Sequence, residues 1–502
     1  MLLIVVPCTV ARGLTDSWTG GSGKWETAGN WSLGAMPAIS QGAVLITNAA
    51  MKTVTIDSTT AGSFPGAMTI SNLLLSAPSG SINTQALTSA GLVTPLRILN
   101  TLTIGSGGVL RITNSILQVD GLMDGVFTND GTVALLNGGS IITTNTVAYV
   151  GAVSLGQLTV PSGSWLGQTV VVGQDDGSQG TLTVDGGSIS MDPDMVVANN
   201  AGSRGTVTVN SGTVQVQGSM TLGFDLGATG RVFVTGGTLT VTNGIIDLAD
   251  FDAGFGELNV SNGAVLAQIM LVGNVAGGLG RFNLTGGKTM VSAGLANLVV
   301  GNCAAGASGI VNVSGGALYV TNASHTAYID VRNGTLTISG SGAVVVDKVV
   351  MTNTCGHLVR LGGTLSYISL NLGPALDADG DGLSNANEQS RGTDPFATDT
   401  DGDGKTDLQE VLSGSDPTNS ASAFRITSAV RTNNDLRITW MTAPGKTNAL
   451  QRGTGGPGGS YSTNNFTTIF TVTNTLGTTT NYLDLGAATN GPARYYRVRL
   501  VP

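Results

Sequence analysis

The chain of 502 residues is poor in charged residues, aromatic residues and cysteine. Charged residues make up 11% of the sequence and aromatic residues 5%, and cysteine occurs three times. No window has the spacing of a long amphipathic helix. No stretch of about 18 apolar residues is present, so we expect no membrane span. The formal net charge of −9 argues against nucleic acid as a partner.

Glycine is abundant instead, with 75 residues, and Val, Thr, Ser, Asn and Leu accompany it. This composition is typical of an all-β protein with many turns. A segment Gly-x-φ-x-φ, where φ is aliphatic or aromatic, recurs about every 25 residues, starting at Gly131, Gly156, Gly180, Gly205, Gly230, Gly256, Gly280, Gly309 and Gly334. Weaker copies start at Gly108 and Gly356. The period predicts a right-handed parallel β-helix of about eleven coils stacked ~4.8 Å apart.

Two further patterns fit a solenoid. Strand alternation places Leu182, Val184, Val207 and Val209 inward. One turn of successive coils carries polar side chains that we expect to stack as a structural ladder, although a ligand-binding row is the alternative. Its members are Asn199, Asp250, Asn274 and Asn302, with Gln174 and Phe224 in other coils.

The strongest chemical signal is an acidic loop that occurs twice, DADGDGLSNANE from Asp377 and DTDGDGKTDLQE from Asp399. Each loop has carboxylates at positions 1, 3 and 5, glycine at 6, a side-chain oxygen at 9 and glutamate at 12. This order builds an oxygen cage around Ca²⁺, with a backbone carbonyl at position 7. The predicted ligands are Asp377, Asp379, Asp381, Leu383, Asn385, Glu388, Asp399, Asp401, Asp403, Lys405, Asp407 and Glu410.

Charge is concentrated in this segment, because residues 377–416 hold eleven acids and two bases. We expect the acids to repel one another without a cation and the segment to become ordered with calcium. Residues 417–502 hold two acids and eight bases. An acidic linker without bound metal is the alternative.

A Gly-x-Asp-Pro turn follows each loop, at 392–395 and 414–417. Loop and turn together resemble the bacterial thrombospondin type 3 calcium repeat over about residues 377–419. The resemblance implies a calcium-bound linker in a secreted or surface-attached protein. Position 8 carries Ser384 and Thr406 in place of the aliphatic residue that pairs two EF-hand loops. A joint that fixes the angle between two modules is therefore favoured over a sensor.

The flanking regions also resemble known families. The run SWTGGSGKWETAGNW, Pro37 and the glycine-rich strands are similar to secreted bacterial β-helix proteins of the autotransporter-associated and pectin-lyase-like type, over about residues 16–372. We expect Trp18, Trp25 and Trp31 to cap the first coil, with sugar stacking as the alternative. From Phe424, short strands with Trp440 in the expected core resemble a fibronectin-type-III-like β-sandwich.

Five segments follow from these patterns. They are a signal-peptide remnant at 1–14, an N-terminal cap with the first coils at 15–130, regular coils at 131–372, tandem calcium repeats at 373–423 and a β-sandwich at 424–502. Residues 1–11 match the end of a signal peptide, with Ala11 as the small residue and no basic start. Cys303 and Cys355 are 52 residues apart, about two coils or ~10 Å, so we expect no disulfide between them.

Three functions remain open. The first is a secreted or cell-surface structural or adhesive protein that binds calcium, with a glycan or cell-envelope component as partner. The second is a polysaccharide lyase or glycosidase. The third is an extracellular filament subunit that associates through the solenoid ends. The solenoid acids considered for catalysis are Asp175, Asp176, Asp192, Asp194, Asp225, Asp247, Asp250 and Asp252, with Arg204 and Arg231 nearby. No lyase base can be chosen among them, and we name no catalytic residue.

Overall fold

A computed structural model describes residues 13–251, 253–292, 297–442, 445–456, 460–473, 478–489 and 493–501. The chain divides into two compact units, Met1–Leu372 and Gly373–Pro502. The predicted signal-peptide remnant lies outside the described residues except for its last two positions. None of the helices in the described part has the length and apolarity needed to cross a lipid bilayer.

The first unit is a parallel β-solenoid of about 14 turns, which confirms the predicted parallel β-helix. The helical segments in the described part of this unit are short. They are α1 at Ser58–Ser63 and 3₁₀ turns at Ala28–Asn30, Pro65–Met68, Leu122–Asp124 and Cys303–Ala305. The described strands are β1 Thr15–Ser17, β2 Gly23–Lys24, β3 Ala43–Ile46, β4 Lys52–Ile56, β5 Thr69–Ile70, β6 Leu73–Leu75, β7 Asn83–Ile98, β8 Leu102–Ile104, β9 Gly108–Val119, β10 Phe127–Asn129, β11 Thr132–Leu136, β12 Ser140–Thr143, β13 Ala148–Val150, β14 Leu155–Val160, β15 Ser164–Gly167, β16 Val170–Val172, β17 Gln179–Met191, β18 Met195–Val197, β19 Arg204–Val216, β20 Met220–Leu222, β21 Thr229–Val234, β22 Thr238–Val241, β23 Ile245–Leu248, β24 Phe255–Val260, β25 Ala264–Ala267, β26 Ile269–Val272, β27 Leu279–Leu284, β28 Lys288–Val291, β29 Asn297–Val300, β30 Ser308–Val313, β31 Ala317–Val320, β32 Tyr328–Val331, β33 Asn333–Ser339, β34 Ala343–Met351, β35 Cys355–Leu361 and β36 Thr364–Leu372.

The repeated glycines lie in register on successive coils. Gly180 pairs with Gly156 on one side and with Gly205 on the other, and the row continues to Gly356. A Cβ atom on Gly205 would lie 2.1 Å from the carbonyl oxygen of Val172, closer than any real contact. The glycine is therefore required by the close approach of the preceding coil, and its own φ is not left-handed.

The estimate of about eleven coils is too low, because the first coils lack the glycine. Lys52 pairs with Asn83, and Asn83 pairs with Gly108, so two polar residues hold the glycine position. Both are buried. The ammonium group of Lys52 compensates by donating to the carbonyl oxygens of Asn48 (2.7 Å) and Ala49 (3.1 Å).

The strands bury alternate side chains as predicted, and polar side chains of the predicted turn contact one another between coils. Leu182, Val184, Val207 and Val209 are fully buried. The amide of Asn199 donates to the side-chain oxygen of Gln174 (3.0 Å), and the amide of Asn302 donates to the backbone carbonyl of Asn274 (3.0 Å). In the coils between them, Phe224 stacks on Phe251 with ring centroids 5.7 Å apart. Much of the row therefore serves to hold neighbouring coils together.

The three N-terminal tryptophans form a buried cap. The ring centroid of Trp31 lies 4.9 Å from that of Trp18 and 5.0 Å from that of Trp25, in edge-to-face geometry. All three side chains are at most 2% exposed. Each indole N–H donates to a backbone carbonyl. This burial fits the expected capping role and leaves no ring face open for sugar stacking.

The expectation of no disulfide is wrong, since Cys303 and Cys355 are bonded with their Cα atoms 5.9 Å apart. Cys303 lies in a 3₁₀ turn two residues after Gly301. That turn approaches the following coil so closely that a Cβ on Gly301 would overlap the carbonyl of Asn333. Asn333 pairs directly with Cys355. The 3₁₀ turn therefore holds Cys303 closer to Cys355 than two regular coil spacings of ~4.8 Å would, and the separation falls within disulfide range.

The second unit combines two acidic loops with two three-stranded antiparallel sheets. Helices α2 (Asn385–Arg391) and α3 (Asp407–Ser413) follow the loops. One sheet contains β37 Ile426–Thr432, β38 Asp435–Met441 and β41 Thr479–Asp484, and the other contains β39 Thr447–Thr454, β40 Thr467–Val472 and β42 Arg494–Val501.

Ile438 and Trp440 of one sheet and Leu450 of the other share a buried core. The indole of Trp440 donates to the side-chain oxygen of Asn448 (2.7 Å). The predicted small β-sandwich is confirmed, with Trp440 in its core.

Substitution Gly205→Ala should destabilise the solenoid by about 1–3 kcal/mol, because the new methyl group meets backbone atoms that cannot rotate away. Thermal unfolding followed by circular dichroism measures the loss. Gly29→Ala is the matched control, since a Cβ at Gly29 meets no atom within 4 Å. Equal melting temperatures for the two variants would contradict the close-approach explanation.

The disulfide predicts one cross-linked peptide pair, containing Cys303 and Cys355, in a non-reduced proteolytic digest analysed by mass spectrometry. Replacing both cysteines with serine should lower the unfolding free energy of the last coils by about 2–4 kcal/mol. Free thiols at both positions in protein purified without reductant would refute the bond.

Candidate metal centre

The two acidic loops have the same backbone geometry. In the first, the carboxylate of Asp377 accepts from the N–H groups of Gly380 and Gly382, both at 2.7 Å. In the second, Asp399 accepts from Gly402 (2.8 Å) and Gly404 (2.7 Å). The position-1 carboxylate therefore folds the loop around itself, and the sequence repeat is also a structural repeat.

The glycine at position 6 is required by its backbone conformation. Gly382 has φ +101° and Gly404 has φ +91°, a region that other residues rarely adopt. The turn brings the carboxylates at positions 1, 3 and 5 together. One oxygen from each of Asp377, Asp379 and Asp381 lies within 4.8 Å of the other two, and the same holds for Asp399, Asp401 and Asp403.

Buried carboxylate oxygens without a hydrogen-bond partner are concentrated in these loops. In the first loop they are one oxygen of Asp379 and both oxygens of Glu388. In the second they are one oxygen each of Asp401 and Asp403 and both of Glu410. Leaving such groups unsatisfied is costly, so their clustering indicates a ligand that accepts their lone pairs. A set of carboxylate oxygens suits a hard cation such as Ca²⁺.

The electrostatics of the loops support a cation. Burial, together with the charges of the neighbouring Asp381 and Asp377, raises the pKa of Asp379 to about 8. Burial followed by the charge of Asp379 raises the pKa of Glu388 to about 8. Burial likewise raises the pKa of Glu410 to about 7. These carboxyls are therefore poorly stabilised as anions unless a positive charge lies between them.

The residues at position 9 make hydrogen bonds inside their own loops. The side-chain oxygen of Asn385 accepts from the N–H of Ala378 (3.1 Å). One carboxylate oxygen of Asp407 accepts from the N–H of Thr400 (2.9 Å), and the other accepts from its hydroxyl (2.7 Å). Both residues are buried. Position 9 thus ties each loop to its own position 2, a role that the ligand pattern alone does not predict.

The residues at position 7 contact the acidic clusters through their backbone N–H groups. The N–H of Leu383 donates to Asp381 (2.6 Å), and the N–H of Lys405 donates to Asp403 (2.9 Å). Each loop then runs into a two-turn helix that places its glutamate, Glu388 or Glu410, toward the acidic cluster. The structure thus groups the three aspartates of each loop and places the glutamate within their electrostatic influence. Coordination of calcium by the twelve predicted ligand residues stays a prediction.

The loops also contact each other, although unequally. The second carboxylate oxygen of Asp381 accepts from the N–H of Leu408 at the start of α3 (2.9 Å). The corresponding oxygen of Asp403 has no partner. Burial raises the pKa of Asp407, and the charge of Asp381 contributes. Asp381 of the first loop therefore contributes to the raised pKa of Asp407 and accepts a hydrogen bond from the first turn of α3.

The solenoid acids form no comparable cluster among the described residues. Asp175 accepts from the amide of Asn200, and Asp194 accepts from the N–H of Ser219, so both hold turns. Asp247 is buried, and its pKa is raised to about 8, first by burial and then by Asp250 beside it. Asp252 lies outside the described residues.

One polar pair is not predicted by the sequence patterns. The Nδ1 atom of His325 lies 3.3 Å from a carboxylate oxygen of Asp347. The two residues are 22 apart in sequence, close to one coil, and this spacing is the signal that could have revealed them.

Comparison with known protein families gives one match. The bacterial TSP3 repeat matches residues 377–397 and 399–420. Repeats of this kind bind calcium, and the matched segments contain both acidic loops with their helices and turns. No curated protein and no solved structure matches the chain. The chain therefore contains two bacterial TSP3 repeats, and the other family resemblances stay predictions.

Calcium affinity should rise with pH between about 6 and 8. A carboxyl whose pKa is raised by folding favours its protonated form, so without calcium the loop is most stable below about pH 4 and loses stability toward about pH 8. Calcium must displace these protons, which weakens its binding at the acidic end. Calorimetric titration should show at least about a tenfold higher affinity at pH 8 than at pH 6, with proton release greater at pH 6. An affinity independent of pH would contradict the raised pKa values.

Proposed function

We propose that the protein is an extracellular, calcium-binding structural protein with an adhesive role. Its solenoid would supply a shaft, and its TSP3 repeats would be folded and stiffened by calcium next to a small β-sandwich. The observation that carries the proposal is the set of buried, unpartnered carboxylate oxygens in both loops. Calcium at both loops would satisfy them and offset the local negative charge.

An extracellular location is supported by two features. The bond between Cys303 and Cys355 is a kind of cross-link that persists in oxidising compartments and is rare in the cytosol. Calcium outside cells is abundant enough to occupy sites of millimolar affinity permanently. A glycan or cell-envelope component is the partner class we propose for the adhesive role.

A structural role for calcium is favoured over a sensing role by the helices. Helices α2 and α3 have seven residues each. Ser384 and Thr406, at position 8 of the loops, are their N-caps, and the Thr406 hydroxyl accepts from the N–H of Gln409 (3.3 Å). A serine or threonine at this position offers no aliphatic side chain for the apolar pairing by which sensor loops open a groove. Binding should order the segment without exposing a new surface.

Calcium removal should loosen residues 373–423 and leave the solenoid intact. In chelator, limited proteolysis is expected to cut within this segment while the β signal in circular dichroism persists, because the solenoid contains neither acidic loop. The double variant Glu388→Gln, Glu410→Gln should be cut there even with calcium present. Asp416→Asn removes a charge from the same segment, outside both clusters, and should behave like the native chain.

Two results would contradict this proposal. Loss of the solenoid signal together with the repeats would show that calcium is not confined to the loops. An unchanged cleavage pattern in chelator would show that calcium does not order the segment.

A further inference from the structure

A cavity of about 920 Å³ lies at one corner of the last solenoid coils. Seven residues, 321–327, connect β31 to β32, whereas β34 and β36 pass the same corner as continuous strands. The loop 321–327 therefore lies beside two coils that have no loop at this corner. The cavity is the recess between the loop and those two coils. The described lining residues all belong to the first unit.

The cavity contains a histidine that is hydrogen-bonded to a buried carboxylate. Asp347 is buried and accepts from the N–H of Asn322 (3.0 Å) and from Nδ1 of His325 (3.3 Å). Because a carboxylate can only accept, Nδ1 carries the proton in the neutral imidazole and Nε2 is left as an acceptor. The side chain of His325 is 68% exposed, so this acceptor is accessible.

The rest of the lining combines hydroxyl groups with an aromatic surface. Thr321, Ser324 and Ser366 supply hydroxyls, each able to donate and to accept. Tyr367 and Ile368 are 45% and 63% exposed. An amphipathic ring beside several hydroxyl-bonding groups suits a ligand that has both apolar C–H faces and hydroxyl groups.

Charge narrows the class of ligand further. His325 and Asp347 pair with each other, and neither lysine nor arginine is among the described lining residues. The cavity therefore has no excess positive charge to recruit a phosphate, sulfate or uronate group. The hydroxyl groups and the free Nε2 acceptor of His325 disfavour a lipid chain, which could not hydrogen-bond to them.

We propose that this cavity binds a neutral oligosaccharide. In the complex, sugar hydroxyls bond to Nε2 of His325 and to the hydroxyl groups, and one sugar ring lies on Tyr367. Residues of several successive coils line the cavity at a spacing of ~4.8 Å per coil, which favours an extended chain over a single sugar. The proposal rests on the adhesive role proposed above and specifies its glycan partner. The described lining residues lie outside the calcium loops, so occupancy should not depend on calcium, and a failure here would leave the calcium-binding role untouched.

The two histidines of the chain, His325 and His357, make the test site-specific. Isotope-labelled histidine gives two imidazole signals, which His325→Gln assigns. We would titrate neutral glucan, xylan and galactan oligosaccharides, with oligogalacturonate as the anionic comparison. The expected result is that a neutral oligosaccharide shifts the His325 signal and leaves the His357 signal in place, in calcium and in chelator alike.

Variants separate binding from a merely structural role of the His325–Asp347 pair. His325→Gln and Tyr367→Ala should each weaken oligosaccharide binding at least about tenfold by calorimetry, with the circular dichroism spectrum unchanged. His357→Gln and Tyr319→Ala are the matched controls and should bind normally. No shift of His325 with any neutral oligosaccharide at about 10 mM, undiminished binding by both site variants, or tighter binding of oligogalacturonate would overturn the proposal.

Discussion

Backbone hydrogen bonding between successive coils, at a spacing of ~4.8 Å, is the constraint on which most of this structure depends. The spacing forces glycine at Gly205 and its equivalents, because the carbonyl of the preceding coil occupies the place of a side chain. It aligns the Gln174–Asn199 contact across neighbouring coils. It also brings the turn of Cys303 beside the coil before Cys355. One repeated distance thus determines composition, turn chemistry and cross-linking in the first unit.

The second unit depends on a different interaction, the burial of carboxylates. Chain turns enforced by Gly382 and Gly404 gather three acids in each loop, and the helices add Glu388 and Glu410. Hydrogen bonds satisfy Asp377, Asp399 and the position-9 residues, but they leave the oxygens that face the clusters unpaired. Protons or a cation must supply the missing partners. The two bacterial TSP3 repeats make calcium the candidate, and a hydrogen bond from the N–H of Leu408 to Asp381 connects the two loops.

Features that repeat locally could be predicted from the sequence, and features that depend on displacement between coils could not. The glycine period and the order of acids in each loop can be read directly from the sequence. The period was enough to predict the solenoid, and the order of acids was enough to locate both loops. The earliest coils were missed because Lys52 and Asn83 replace glycine there. The disulfide was missed because a 3₁₀ turn holds Cys303 closer to Cys355 than regular coil spacing would. The His325–Asp347 pair was missed because it depends on one coil having a longer loop than the next.

We propose that each acidic loop holds one calcium ion and that the fold of the two TSP3 repeats depends on it. Native mass spectrometry of the full chain, in volatile buffer with a small excess of calcium, measures the number of bound ions directly. We expect two bound ions for the native sequence and one for Glu388→Gln. No specifically bound ion, or an unchanged number in the variant, would contradict it.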